Sequence, residues 1–375
     1  MTTAARRAAY VLTFALFALL ALQGAARAVE APKDLVPKAS CTSTTCHPGF
    51  AKKKHVHGPV SVGECDSCHV WKNNKHSFTL AEKSPKLCVG CHDDMDFPKK
   101  GEKKEPAKKE AGAKPAKLFV HEPVAEDCLT CHDAHASDYK AHLISSVVEL
   151  CGTCHDEELD KAKSKTAVSR HTAVFEGKAC LSCHKPHSSK FAKLLPAAPM
   201  DTCLKCHDKP LEAGGRTIAN LKEEITTHKV VHAPVQDKEC LPCHTPHGSK
   251  LPSLLTATYP ETFYAPFGVK AYALCFSCHD DALATKEQTK DTEFRNGERN
   301  LHYVHVHKDP KGRTCRDCHA AHASDQPFQL HASVPFGRIG WKLPIGYAKT
   351  ASGGTCNPGC HAPKTYDRKS PVKYE

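Results

Sequence analysis

The chain has 375 residues, a formal net charge of +11 and a mean hydropathy of -0.46. Aromatic residues make up only 7% of it while cysteines number 22, so it is too polar and too cysteine-rich to bury the core of two or three ordinary domains. Something other than side chains must fill its interior.

The first 28 residues read as a signal peptide. Arg6 and Arg7 precede an apolar stretch over 8–22, and Ala26-Arg27-Ala28 offers a small-x-small cleavage site. The stretch is shorter than the roughly 20 apolar residues of a membrane span. Export places the mature chain in an oxidising compartment, where cysteines ordinarily form disulfides.

The spacing argues against disulfides. All 22 cysteines fall into eleven close pairs, each followed directly by histidine. A stretched pair, Cys41/Cys46/His47 (CX4CH), comes first. Nine C-x-x-C-H motifs follow: Cys65/Cys68/His69, Cys88/Cys91/His92, Cys128/Cys131/His132, Cys151/Cys154/His155, Cys180/Cys183/His184, Cys203/Cys206/His207, Cys240/Cys243/His244, Cys275/Cys278/His279 and Cys315/Cys318/His319. A second stretched pair, Cys356/Cys360/His361 (CX3CH), closes the series. Neither disulfides nor zinc would require histidine at one fixed place every time. C-x-x-C-H is the attachment motif of c-type haem. Residues i, i+3 and i+4 share one helical face, so one turn presents two thioether sulfurs and a proximal histidine. Eleven covalent haem c groups are expected, with the 22 cysteines as attachments and the eleven histidines as proximal iron ligands. Porphyrin then replaces the missing core, and folding depends on its attachment, as small zinc domains depend on metal.

The motifs repeat as doublets. His69 to Cys88, His132 to Cys151 and His184 to Cys203 each enclose 18 residues, and the later inserts are 30 after His244 and 36 after His319. The expected order is an N-terminal single-haem segment (29–62), doublet 1 (63–98), a solvated Lys/Pro/Ala-rich linker (99–117), doublet 2 (118–160), doublet 3 (161–212), doublet 4 (213–285), and doublet 5 with a tail (286–375). The expected fold is mainly short α-helices and irregular loops wrapped around a linear array of c-type haems, with little or no β-sheet.

Sixteen of the 27 histidines lie outside the motifs. His57, His121, His171, His232 and His307 precede the doublets by seven to nine residues. His135, His187, His247 and His322 follow a motif histidine by three, with His76 the nearest equivalent in doublet 1. These ten are the candidate distal ligands. Six others (His55, His142, His228, His302, His305, His331) remain, one of which could serve the Cys41 haem. Only Met95 and Met200 follow the signal peptide, so bis-histidine ligation is the economical assignment. A histidine three residues beyond His184 cannot reach the opposite face of the same porphyrin, so His187 is expected to ligate a neighbouring haem.

Loss of Arg6, Arg7 and Arg27 lowers the formal +11 to +8. Ionised propionates on eleven ferric haems then bring the total to about −3, and full reduction to about −14. The basicity offsets the cofactors and makes no case for nucleic acid.

With elements such as "CHKPH" and "CHTPH", the chain from Cys41 to His361 resembles the doubled-CXXCH multihaem cytochromes c. That resemblance implies a chain of bis-histidine haems conducting electrons from a periplasmic or membrane donor to an outer-membrane or extracellular acceptor. It implies redox-protein partners, a porin-cytochrome complex or self-assembly into a filament, and a periplasmic, outer-membrane-associated or extracellular location. The rival reading is a multihaem reductase of nitrogen or sulfur oxyanions with one open iron. The excess of spare histidines over haems favours a carrier with no catalytic residues.

Overall fold

A computed structural model describes residues 41, 47–71, 77–93, 117–163, 168–337 and 340–374. The expected signal peptide, Cys46, His76 and nearly all of the expected linker lie outside these residues. No helix among the described residues is long and apolar enough to cross a membrane. Contacts divide the chain into two compact units, Met1–Asp94 with Glu126–Ile144, and Met95–Ala125 with Ser145–Glu375. The boundary at Ile144 falls between the two motifs of the second doublet.

Every regular motif forms one tight turn. The amide of the second cysteine donates to the carbonyl of the first in all nine, from Cys68→Cys65 at 3.3 Å to Cys318→Cys315 at 3.2 Å. In eight of them the histidine amide reaches the same carbonyl, as in His132→Cys128 at 3.0 Å. The stretched motif at Cys356 differs, because Cys356 ends the strand Gly353–Cys356 and an Asn-Pro-Gly turn leads to Cys360.

Strands are more frequent than the sequence suggests, and most are two residues long. In the first unit, His55–Val56 pairs antiparallel with Ala136–Ser137. In the second, Phe119–Val120 pairs with Ser188–Ser189, Ser169–Arg170 with Gly248–Ser249, and Val230–Val231 with Ala323–Ser324. The rule is constant. The two residues before a leading histidine pair with the two residues after the i+3 histidine of the next doublet. A two-residue ladder is too short to show alternating polarity, and its stability comes from the turn it pins.

That turn has its own lock. Ser137, Ser189, Ser249 and Ser324 each stand five residues after a motif histidine and donate to the carbonyl six residues on, Ser249 to Leu255 at 2.6 Å. The same hydroxyls accept an amide two residues on, such as Leu251 at 2.9 Å. Inside each loop two residues take left-handed backbone, for example Ser253 and Leu254 at φ 55° and 56°. Such conformations cost non-glycine residues about 1–3 kcal/mol each and persist where the surroundings determine them.

Among the described residues only fourteen apolar side chains are buried, and seven of them are alanine. The one larger cluster is C-terminal, where Val334, Leu343 and Ile345 pack with Phe263, Phe336 and Tyr347. It lies under the hairpin Ser333–Phe336/Trp341–Pro344 and next to the three-stranded sheet Tyr347–Lys349, Gly353–Cys356, Lys364–Asp367. Elsewhere the polypeptide surrounds the motifs without a core of its own.

Candidate haem-binding array

The structure brings histidine rings face to face. In the first unit, His57 opposes His92 at 6.0 Å between ring centres and His69 opposes His135 at 5.9 Å. In the second, His121 opposes His155 at 6.0 Å, His171 opposes His207 at 6.3 Å, and His232 opposes His279 at 6.2 Å. His184 opposes His247 at 6.2 Å, His244 opposes His322 at 6.3 Å, and His302 opposes His319 at 6.4 Å.

A metal–imidazole bond of about 2.0–2.1 Å, with a ring centre about 1.1 Å behind its nitrogen, puts two opposed ligand rings about 6.3 Å apart. The eight pairs therefore fit one iron each. Seven of them, all but His302/His319, obey two rules. A leading histidine faces the second-motif histidine of its own doublet. An i+3 histidine faces the first-motif histidine of the preceding doublet.

The other ring nitrogen is held at most of the first-motif and leading histidines. His132, His184, His244 and His319 donate from Nδ1 to the carbonyl nine residues on, at Ala141, Lys193, Ser253 and Phe328, over 2.7–2.9 Å. These acceptors are the left-handed residues of the serine-locked loops. The loop strain thus has a product, a carbonyl turned toward the imidazole that leaves Nε2 as the ligand nitrogen. His121 and His171 donate to the carbonyls of Pro186 and Pro246 at 3.0 and 2.9 Å, and His232 to Ala321 at 3.1 Å. Burial lowers the pKa of His207, His232, His244, His247, His305 and His319, and pushes His302 down to about 3. These rings are held neutral, the form that binds metal.

The fifth doublet departs from the sequence expectation. His307 is not brought to another histidine. Its ring stacks on Tyr303 and Phe267 at 4.1 and 4.3 Å, and Nε2 donates to the Ala284 carbonyl at 3.0 Å. His302 faces His319 instead, with its Nδ1 against Thr292 Oγ1 at 3.2 Å. His305, one turn along the same helix, Leu301–Val306, lies within electrostatic range of His361. The segment before His307 is a helix rather than the strand found before the other leading histidines of the second unit. Asn300, wholly buried, caps it by accepting the amides of His302 and Tyr303 at 3.0 and 3.4 Å while donating to Leu283 and Lys286.

The remaining candidates are placed as follows. His187 accepts the His121 amide at its carbonyl, 2.9 Å away. His47 stacks on Phe50, which stacks on His135. His142 meets His57 edge-on at 5.4 Å, His228 donates to the Glu224 carbonyl at 2.8 Å, the amide of His331 donates to Cys318, and His55 lies in the strand beside Ser137.

The attachment cysteines run in series within each unit. Cys88 adjoins Cys128 in the first. In the second, Cys151 adjoins Cys180, Cys203 adjoins Cys240, and Cys275 adjoins Cys315. Within doublets, Cys183 and Cys206, Cys243 and Cys278, and Cys318 and Cys356 interact electrostatically.

The attachment cysteines differ in burial from one motif to the next. Cys91 and Cys154 are exposed, as are Cys206, Cys278 and Cys360, whereas Cys131 is half-buried like Cys68, Cys183, Cys243 and Cys318. In each doublet, then, the later cysteine of the second motif is open and that of the first is partly covered. The turns still hold these residues in place. The amides of Cys91, Cys131 and Cys154 donate to the carbonyls of Cys88, Cys128 and Cys151 at 3.2, 3.2 and 3.3 Å. The Cys131 carbonyl accepts the Ile144 amide at 3.0 Å, and Cys154 Sγ lies 3.8 Å from Thr153 Oγ1. In doublets 2 to 5 a serine-locked loop follows the first motif, while the second motifs lead into short helices or turns. An open sulfur is one a porphyrin edge can reach.

Comparison with known proteins finds the repeated motif itself. The doubled CXXCH motif family matches residues 57–97, 121–160, 171–211 and 232–284. Each matched segment begins on a leading histidine, His57, His121, His171 or His232. A curated high-molecular-weight cytochrome c of Nitratidesulfovibrio vulgaris is 25% identical over 287 residues, 67% of this chain and 50% of that protein. The chain spans about half the length of this curated relative. Over those four segments the chain carries the doubled CXXCH motif of that family, and its C-x-x-C-H motifs indicate covalently bound haem c.

Proposed function

We propose that this chain is an undecahaem electron carrier. A bis-histidine haem exchanges one electron at an iron whose two axial positions are both filled. The observation that carries the reading is the set of eight opposed imidazole pairs, each with the spacing of one ligated metal.

The proposed axial pairs are His92 with His57, His69 with His135, His155 with His121, His207 with His171, His279 with His232, His184 with His247, His244 with His322, and His319 with His302. His305 is the proposed partner of His361. The serine-locked carbonyls hold the imidazoles of His132, His184, His244 and His319 in their tautomer, and the cysteine series supports transfer between neighbouring haems inside each unit. We assign the chain to the exported space, with donors and acceptors that are redox proteins, in the direction from a periplasmic or membrane donor to an outer-membrane or extracellular acceptor. An outer-membrane porin complex or self-assembly into a filament fits such a carrier. Catalysis would need an open iron position, whereas the eight pairs supply two imidazoles each.

Intact-protein mass spectrometry of chain matured by a c-type haem assembly system tests the count. Eleven haem additions are expected. Nine would remove the stretched motifs at Cys41 and Cys356 from the array, and fewer would contradict it more widely.

A further inference from the structure

Seven of the sixteen opposed histidines set Nδ1 against a neutral acceptor, a carbonyl or a hydroxyl. In the second unit His247 and His322 face carboxylates instead, and in the first His135 Nδ1 lies 3.9 Å from Asp133 Oδ1. His247 Nδ1 lies 3.2 Å from Glu158 Oε2, and His322 Nδ1 lies 3.6 Å from Glu224 Oε1. Both acids come from helices that follow a second-motif histidine, Asp156–Lys163 after His155 and Leu221–Thr227 after His207.

The close approach is built in. Gly248 adjoins His247, and a Cβ there would sit 2.5 Å from the Lys161 carbonyl and 3.0 Å from Ala162 Cα. Only glycine lets the helix bearing Glu158 come this near. At the second site the Ala323 amide, beside His322, donates to the Glu224 carboxylate. The two pairs also share a ring geometry. His184/His247 and His244/His322 are tilted by 30° and 32°, whereas the other six pairs lie between 6° and 23°.

We propose that Glu158 and Glu224 set the reduction potentials of the two haems attached at Cys180/Cys183 and Cys240/Cys243, making them the low-potential members of the second unit. The inference rests on the bis-histidine assignment above. A carboxylate that accepts the Nδ1 proton makes the imidazole a stronger donor to iron, which favours ferric over ferrous. The step affected is the gain of one electron by that ferric iron, given by a ferrous neighbour of the same array. Such haems fill last and empty first, so they pass electrons on rather than store them. Lys161 shares Glu158 Oε2 at 3.0 Å and moderates that carboxylate, while Glu224 is the more buried acid, 27% exposed against 45%. Both are positioning residues that act through a histidine.

The test is a spectroelectrochemical titration of the haem-loaded Glu158→Gln and Glu224→Gln proteins, with electron paramagnetic resonance at poised potentials. In each variant one haem is expected to reduce earlier, its ferrous-to-ferric ratio at fixed potential rising roughly tenfold, the scale of one charge-assisted hydrogen bond. The g-values of that haem shift with it, and Glu223→Gln, on the same helix, moves none. Unmoved potentials in both variants, or a uniform shift of every haem, would overturn the inference. His322→Ala separates the two levels. High-spin iron in His322→Ala with an unmoved Glu224→Gln overturns this inference and leaves the bis-histidine assignment standing. Absence of high-spin iron in His322→Ala overturns that assignment, and this inference with it.

Discussion

His302→Ala is expected to convert one haem from low-spin to high-spin while the porphyrin stays covalently attached at Cys315 and Cys318. The ring of His302 lies 6.4 Å from that of His319, its Nδ1 is held by Thr292, and burial keeps it neutral. Deleting the imidazole removes an axial ligand outright, so the whole low-spin signal of that haem goes. His307→Ala is expected to leave every haem low-spin, because its Nε2 is already bonded to the Ala284 carbonyl. Its cost is packing, about 1–3 kcal/mol for losing an aromatic ring held between Tyr303 and Phe267. Magnetic circular dichroism in the near infrared reads both variants. High-spin iron in His307→Ala with none in His302→Ala would restore the spacing-based assignment.

The haem-free chain is expected to lack a cooperative unfolding transition. Among the described residues half of the fourteen buried apolar side chains are alanines, each burying little area, while ordering costs about 1.5 kcal/mol per residue. The two-residue ladders and single-turn helices cannot offset that cost without porphyrin between the imidazoles. Circular dichroism on a variant with all motif cysteines changed to serine, compared with the haem-loaded protein, checks this. A broad, non-cooperative melt is expected in the variant. Residual structure should concentrate around Val334, Leu343 and Ile345, the one cluster built from larger side chains. A sharp transition in the haem-free chain would show that the polypeptide carries its own core.

Where chemistry fixes spacing, residues are legible from sequence alone. Two thioethers and a proximal ligand demand positions i, i+3 and i+4, and the nine regular motifs adopt that turn. The leading histidines at 57, 121, 171 and 232 are legible because the repeat is, and each is brought opposite a motif histidine. His307 has the same eight-residue lead as His57 and His232, yet its segment is a helix. Spacing reveals neither that a leading strand pairs with the next repeat nor that the residues before His307 form a helix. Asn300, a helix N-cap ahead of an apolar run, was a visible signal for that helix.

The serine five residues beyond the motif histidine was also visible, in "CHDAHAS", "CHKPHSS", "CHTPHGS" and "CHAAHAS". Its recurrence marks the locked loop that aims a carbonyl at the proximal imidazole. Identical motifs gave no sign that Cys91 and Cys154 would be open while Cys131 is half-covered, because that difference comes from the loop after the motif. The expectation that an i+3 histidine reaches a neighbouring haem acquires a direction from His135, His247 and His322. Each faces the first-motif histidine of the doublet before its own. The carboxylates of Glu158 and Glu224 had no sequence signal, since each meets its histidine across about 90 residues of chain.

The central claim is that haem irons in this chain carry two imidazoles and move electrons without binding substrate. Electron paramagnetic resonance of the fully oxidised, haem-loaded protein tests it most directly. The account predicts only low-spin ferric signals, integrating to the haem count found by mass spectrometry. A high-spin signal at one iron per chain would contradict it, because an open axial position is what a reductase requires.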